Sequence, residues 1–222
     1  MPMRLPLVLS LVYALSTLPA LAGAWLEAEG RGFTSSALRT RGSGQEVSGY
    51  IAYGVSQRLT FGLDLNQSTD AQNQSAHALV FTRLPLRQSE TGWQLAFEMA
   101  AGFGRVETQW SGMKRLGLSA GRGLSWPTRG AWVNFDLIRE WREEGLAKAW
   151  KLDGAFGFER RSGPAVIFRG EVFQPDAGAR IWKVLPGLRW RLSPKRELLT
   201  GLEWRSFGQE RLGLTLELWQ RF

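Results

Sequence analysis

The carboxyl-terminal stretch of this chain, Arg211 to Phe222, alternates between apolar and polar side chains almost without exception. One face would carry Leu212, Leu214, Leu216, Leu218 and Phe222, and the other Arg211, Gly213, Thr215, Glu217, Trp219 and Arg221. Because side chains on a β-strand point alternately to opposite faces, a strict period of two predicts a strand. One face of this strand must meet an apolar medium and the other a polar one.

The same period recurs along the chain in about twelve segments, most of which end in turn-forming residues. The clearest is 59–66, and the weakest is 76–84, which is apolar on both faces. An even number of antiparallel strands brings both termini of a closed barrel to one end. The predicted fold class is therefore all-β, a closed antiparallel up-and-down transmembrane β-barrel of about twelve strands. The predicted strands are 25–34, 46–56, 59–66, 76–84, 93–103, 113–123, 131–140, 149–159, 165–174, 181–192, 197–206 and 211–222.

An aromatic residue at the end of such a strand resembles the closing strand of Gram-negative outer-membrane β-barrels. The resemblance rests on Phe222 and the alternating leucines before it, while Gln220 stands where that family usually has an apolar residue. It implies an outer-membrane location, contact with outer-membrane lipid, and recognition of the Phe222 strand by the barrel-assembly machinery.

The amino terminus has the pattern of a secretory signal peptide. Met1 to Arg4 is basic, Leu5 to Leu18 is largely apolar, and 20–22 and 22–24 are both small-x-small cleavage sites. The predicted domains are a signal peptide over 1–24 and a single β-barrel domain over 25–222. An uncleaved anchor is the alternative, although the apolar stretch is short for spanning a bilayer.

Composition excludes several classes of function. The chain has no cysteine, so disulfides and thiolate metal sites are excluded, and we predict no cofactor. Its net charge is +8, but the basic residues alternate with apolar ones and do not cluster on a helix or arm. A nucleic-acid partner is therefore not expected.

Alternation alone leaves open which face points inward. A soluble, lipocalin-like barrel would place the apolar face inside, around an apolar ligand. Twelve strands would leave that interior too wide for apolar side chains to fill, and the polar face is rich in small residues, so we expect the apolar face outward.

Tryptophans are expected to form two interfacial belts. One belt would hold Trp25, Trp93, Trp126 and Trp190, and the other Trp110, Trp141, Trp150, Trp182 and Trp204.

Charged residues would then line the lumen, with acids prevailing on the first seven strands and bases on the last four. A wall of arginines lowers the barrier for anions, so we predict an outer-membrane channel for small hydrophilic, possibly anionic, solutes. The alternative is a non-conducting structural barrel, whose charges pair and fill the lumen. The pore-lining candidates are Arg169, Lys183, Arg189, Arg191, Arg205, Arg211, Glu203, Glu217, Asp136 and Glu98.

An enzymatic alternative rests on the one histidine of the chain. His77 has Ser75 two residues away, and a hydrolase that modifies lipid needs such a pair. A single histidine beside a predicted external loop is more typical of a solvated rim, so catalysis is not the expected function.

Overall fold

The computed structural model describes residues 24–70, 73–89, 91–125, 130–143 and 148–222. The predicted signal peptide lies outside this range except for Ala24. Within the described ranges no helix is long and apolar enough to cross a membrane. Twelve strands are formed there: β1 (Gly32–Arg41), β2 (Gly44–Ser56), β3 (Leu59–Asp70), β4 (Asn73–Arg87), β5 (Gln94–Val106), β6 (Gln109–Leu124), β7 (Ala131–Arg142), β8 (Ala149–Phe158), β9 (Ala165–Pro175), β10 (Ile181–Ser193), β11 (Arg196–Arg205) and β12 (Leu212–Arg221).

The strands form one closed barrel in which every neighbour is antiparallel and sequence neighbours lie side by side. Closure comes from the pairing of β1 with β12, in which Phe33 is opposite Arg221. The backbones of Gly32 and Phe222 complete the seam through two reciprocal hydrogen bonds of 2.9 Å. We call the end where β1 begins and β12 finishes the terminal end, and the opposite end the far end. The predicted fold class is confirmed.

The apolar face points outward, as predicted. On β12, Leu212, Leu214 and Leu216 are 64%, 61% and 48% exposed, whereas the alternate residues Thr215 and Glu217 are buried. The outer surface therefore presents a continuous apolar wall to lipid, and the polar residues line the interior.

The predicted position of the first strand is wrong. Residues 25–31 do not join the sheet as a strand, apart from one isolated bridge between Glu29 and Gly54. The strand β1 occupies 32–41 instead, so residues 35–41, which fall between the first two predicted strands, lie in the sheet. The first connection at the far end is consequently short, because β2 already begins at Gly44.

The interior is more apolar than the sequence pattern suggested. One cluster at the terminal end comprises Phe33, Trp132, Ile167, Leu199 and Trp219; we call it the aromatic floor. A second cluster lines β2 and β4–β6 and comprises Ala52, Leu79, Phe81, Ala100 and Met113. The second cluster explains the weak alternation of segment 76–84, because Leu79 and Phe81 point inward while Val80 points to lipid.

The tryptophans only partly follow the predicted belts. Trp93 and Trp190 are exposed near the terminal end, and Trp110, Trp150 and Trp204 near the far end. Trp25 instead packs against the aromatic floor inside the barrel, and Trp126 lies outside the described residues. The indoles on the outside suit the two membrane interfaces, because a ring with a polar N–H prefers that zone.

Candidate solute site in the barrel lumen

Charged side chains from β1–β3 and β9–β11 meet inside the barrel near the far end. We call this group the far cluster; it comprises Arg39, Arg41, Glu46, Asp70, Glu171, Lys183, Glu203 and Arg205. At its centre, Arg41 Nε donates to Glu203 Oε1 at 2.6 Å, and Arg41 Nη2 donates to Glu46 Oε2 at 3.2 Å. Four basic and four acidic groups balance each other there. Such pairing is what allows charges to remain in a largely dehydrated interior.

Several bonds of the far cluster reach across the lumen. Arg39 Nη2 on β1 donates to Glu171 Oε1 on β9 at 2.8 Å, although these strands lie four places apart in the ring. Lys183 on β10 similarly reaches Glu46 on β2, with an Nζ–Oε2 distance of 3.2 Å. The far cluster therefore narrows the passage with fixed charges.

On the terminal side of these bonds lies a cavity of about 290 Å³. Its basic lining is Arg39, Lys151 and Arg169, and its acidic lining is Asp136, Asp153, Glu171 and Glu217. Arg169 Nη1 lies 2.5 Å from Glu217 Oε2, and Lys151 Nζ lies 2.7 Å from Asp153 Oδ2. This volume can hold a small hydrophilic solute between groups of both signs.

A second pocket of about 120 Å³ adjoins the cavity and shares Tyr50, Asp136, Lys151 and Asp153 with it. The carboxylate of Asp64 accepts a hydrogen bond from Arg115 beside this pocket. The two volumes extend the polar interior towards β3, β5 and β6.

The aromatic floor bounds the cavity towards the terminal end. Phe33, Trp132, Ile167 and Trp219 belong to both the floor and the cavity lining. Trp219 Nε1 donates to Glu217 Oε1 at 2.5 Å, which ties the floor to the charged wall. A solute in the cavity would therefore meet charge on one side and flat apolar rings on another.

The pore-lining candidates fall into two groups. The strand register places Arg169, Lys183, Arg189, Arg205, Glu98, Asp136, Glu203 and Glu217 on the inward face. Arg191 lies at the terminal end with its side chain 58% exposed, and Arg211 lies in the exposed far connection before β12. A role in lining a conducting pore stays a prediction for all of them.

The predicted division between an acidic and a basic wall is not observed. Arg39, Arg41, Arg83 and Arg115 also point inward, on strands that were expected to be acidic. The first two were missed because the misplaced first strand put them in a loop. Arg115 lies on the polar face of the predicted strand 113–123, so alternation alone would have identified it. Arg83 shares its face with Leu79 and Phe81, so alternation gave no signal for it.

His77 lies inside the barrel and is not a solvated rim residue. It faces the lumen opposite Asn66 and Gly104, and its Nε2 lies 3.3 Å from Asp64 Oδ1. Because this imidazole faces the lumen and not the lipid, it is not positioned to attack a lipid of the surrounding membrane.

Comparison with solved structures shows which known barrels share this fold. The KdgM porin is similar with a TM-score of 0.62 and 8% identity, over 86% of this chain and 99% of that one. The NanC porin is similar with a TM-score of 0.62 and 7% identity, over 85% and 97%. An outer membrane channel from Pseudomonas putida F1 is similar with a TM-score of 0.59 and 13% identity, over 92% and 99%.

No family model and no curated protein matches this sequence. The structural likeness therefore establishes the fold, a closed barrel of the Gram-negative outer-membrane type. The apolar outer wall suits this barrel to span a lipid bilayer, as barrels of this type do.

Proposed function

We propose that this protein is an outer-membrane channel for small hydrophilic solutes and that it favours anions. The observation that carries the proposal is the cavity of about 290 Å³ inside a closed, lipid-facing barrel, lined by ionised groups. A cavity lined by charged side chains as well as apolar rings suits the passage of a hydrophilic solute better than the storage of an apolar ligand.

The preference for anions rests on three basic residues of the cavity, Arg39, Lys151 and Arg169. Guanidinium groups offer fixed donors that replace part of the hydration of a carboxylate or phosphate. The lining also carries four carboxylates, three of which pair with these cations, so the expected attraction for an anion is weak. A solute must in any case bind weakly enough to leave again. The KdgM porin has also been solved in complex with oligogalacturonate, which is consistent with an anionic solute for this fold.

A flux measurement tests this proposal. Mature protein is refolded into liposomes, and the entry of small organic anions is compared with that of cations and neutral sugars of equal size. We expect faster entry of the anions. Equal or slower entry of anions would overturn the preference, and no entry of any solute would overturn the channel.

A non-conducting structural barrel is the second candidate, and the filled interior favours it. The far cluster, the aromatic floor and the cluster around Phe81 leave limited free volume in the described part of the lumen. The liposome experiment separates the two candidates, because a structural barrel passes no solute even when it is fully inserted.

We do not propose an enzyme. The enzymatic alternative depended on His77, which faces the lumen beside Asp64. Replacing His77 by Ala is expected to leave solute flux and lipid composition unchanged, and a change in lipid composition would restore that alternative.

We further propose that the β12 strand is the recognition signal for the barrel-assembly machinery. Phe222 is 49% exposed and forms the seam with Gly32. Deleting Phe222 should lower the amount of folded protein in the outer membrane, measured by the gel shift between heated and unheated samples. In the control variant, Met1 and Pro2 are removed so that translation starts at Met3, which leaves the sequence of the barrel unchanged.

A further inference from the structure

We propose that residues 24–31, which precede β1, form a strap that closes the terminal end of the lumen and moves when solute passes. This inference rests on the proposed channel function. The proposed gate lies in a different part of the lumen from the charged cavity. It is formed by a segment that is not one of the twelve strands.

The strap is held at its carboxyl end by β2. Gly30 N donates to Gly54 O and Gly54 N donates to Arg31 O, both at 2.9 Å. A Cβ atom at Gly54 would collide with the carbonyl oxygens of Glu27 and Ala28. Glycine at position 54 therefore allows the strap backbone to lie directly on the barrel wall.

From there the strap crosses the whole lumen. Glu27 N donates to Thr60 Oγ1 on β3 at 3.0 Å, and Ala24 N donates to Asn134 Oδ1 on β7 at 3.1 Å. In a ring of twelve strands β7 is diametrically opposite β1, where the strap ends. Eight residues in extended conformation span about 26 Å, which is enough to cross the barrel.

The amino-terminal end of the strap lies against β6 and β7, on the opposite wall of the barrel. Ala24 is only 2% exposed, and Trp25 packs against the aromatic floor. A Cβ atom at Gly121 on β6 would overlap the Trp25 ring and lie 3.0 Å from Ala24 Cβ. An indole and a floor of aromatic side chains therefore close the terminal end on the side opposite the far cluster.

The attachments of the strap explain why it can move without unfolding the barrel. Thr60, Asn134 and Arg83 hold it through side chains, Arg83 by donating to the Trp25 carbonyl oxygen at 3.5 Å, and its backbone pairing is confined to the contacts at Gly54. A segment outside the strand ladder opens at lower free energy than a strand does. Opening would hydrate the polar partners and leave all twelve strands paired.

The strap is tested with engineered cysteines, because the chain contains none of its own. In a protein beginning at Gly23, Ala24→Cys is combined with Gly121→Cys, whose Cβ positions lie 3.0 Å apart. Both this pair and its control carry Trp25→Ala, because a side chain at position 121 would otherwise overlap the Trp25 ring. The control combines Ala24→Cys with Gly123→Cys. Gly123 lies two residues further along the same face of β6, and no described atom is within 4 Å of its Cβ position.

We expect oxidation to form the disulfide in the first pair and not in the control, and to lower the single-channel conductance several-fold. A reductant should restore the conductance. Failure of the first pair to cross-link would show that the strap does not lie on β6. Cross-linking confirmed by mass spectrometry with unchanged conductance would show that the strap is not a gate.

A deletion of residues 24–29 gives the opposite readout. It should raise the conductance several-fold, whereas a conductance equal to that of the intact chain would overturn the gate. If the deletion does not fold, Gly54→Ala displaces the strap with one methyl group, and Gly123→Ala is its matched control. Silence of all inserted variants, the deletion included, would overturn the channel itself and is thus distinct from failure of the gate.

Discussion

Arg205 and Asp70 form a buried ion pair that joins β11 to β3, although three other strands separate them in the barrel. The distance from Arg205 Nη1 to Asp70 Oδ2 is 2.6 Å, and both side chains are at most 2% exposed. Arg41 Nη1 lies 3.8 Å from the same carboxylate oxygen. One carboxylate therefore faces two guanidinium groups, and the far cluster depends on its charge.

Replacing Asp70 by Asn should destabilise the barrel by about 3–5 kcal/mol, because two buried cations lose their counter-charge. Denaturant unfolding of the refolded protein measures this change. Asp176→Asn is the control, since Asp176 also pairs with an arginine, Arg139, at 2.6 Å but is 48% exposed. The control should cost about 0–1 kcal/mol. Equal losses in the two variants would show that burial does not set the strength of the far cluster.

Arg169 and Glu217 should have opposite effects on ion selectivity. Arg169→Gln removes a cation from the cavity wall and should move the reversal potential in a salt gradient towards cation preference, whereas Glu217→Gln should move it towards anion preference. Arg58→Gln, in an exposed turn at the terminal end, is the control and should leave the reversal potential unchanged. Shifts of the same sign in the two cavity variants would contradict the assignment.

The depth of a lipid-facing residue should determine the cost of placing a charge there. Leu216→Arg, near the middle of β12, should cost about 2–4 kcal/mol, and Leu212→Arg, at the far end of the same strand, about 0–1 kcal/mol. Unfolding in lipid vesicles measures both. Equal costs would mean that this face does not lie across the hydrocarbon core.

Phe81 tests the apolar filling of the interior. Its side chain is 1% exposed and stacks on Tyr50 with ring centroids 5.1 Å apart. Phe81→Ala should destabilise the protein by about 3–5 kcal/mol, because a buried cavity replaces the ring. Phe103→Ala, whose side chain is 64% exposed on the outer face, should cost less. The free energy of unfolding in micelles decides between these outcomes.

The period of two predicted most strands because each of them separates lipid from a polar interior. β3 and β12 were found within a few residues of their ends for this reason. β1 was misplaced because its outward residues include Thr34, Ser36 and Thr40, which give no apolar signal. The strap before it alternates as well, since Leu26 and Ala28 interleave with Glu27 and Glu29.

The site was predicted only in part. Alternation places Arg169 and Glu217 on the inward face, but their contact joins β9 to β12 and depends on the register of all strands between them. No local pattern encodes that register. The apolar filling of the lumen was likewise not predicted. Trp132 and Trp219 lie near strand ends, where tryptophans of an interfacial belt would also lie, so their positions did not indicate the aromatic floor.

Single-channel conductance in a planar bilayer decides whether the barrel conducts and whether the strap limits the current. The intact chain and the chain without residues 24–29 are recorded in a salt gradient, after a gel shift on heating has shown that both are folded. We expect discrete current steps with anion preference in both proteins, and larger steps in the deletion variant. Silence from both inserted proteins would contradict a channel and leave the structural barrel.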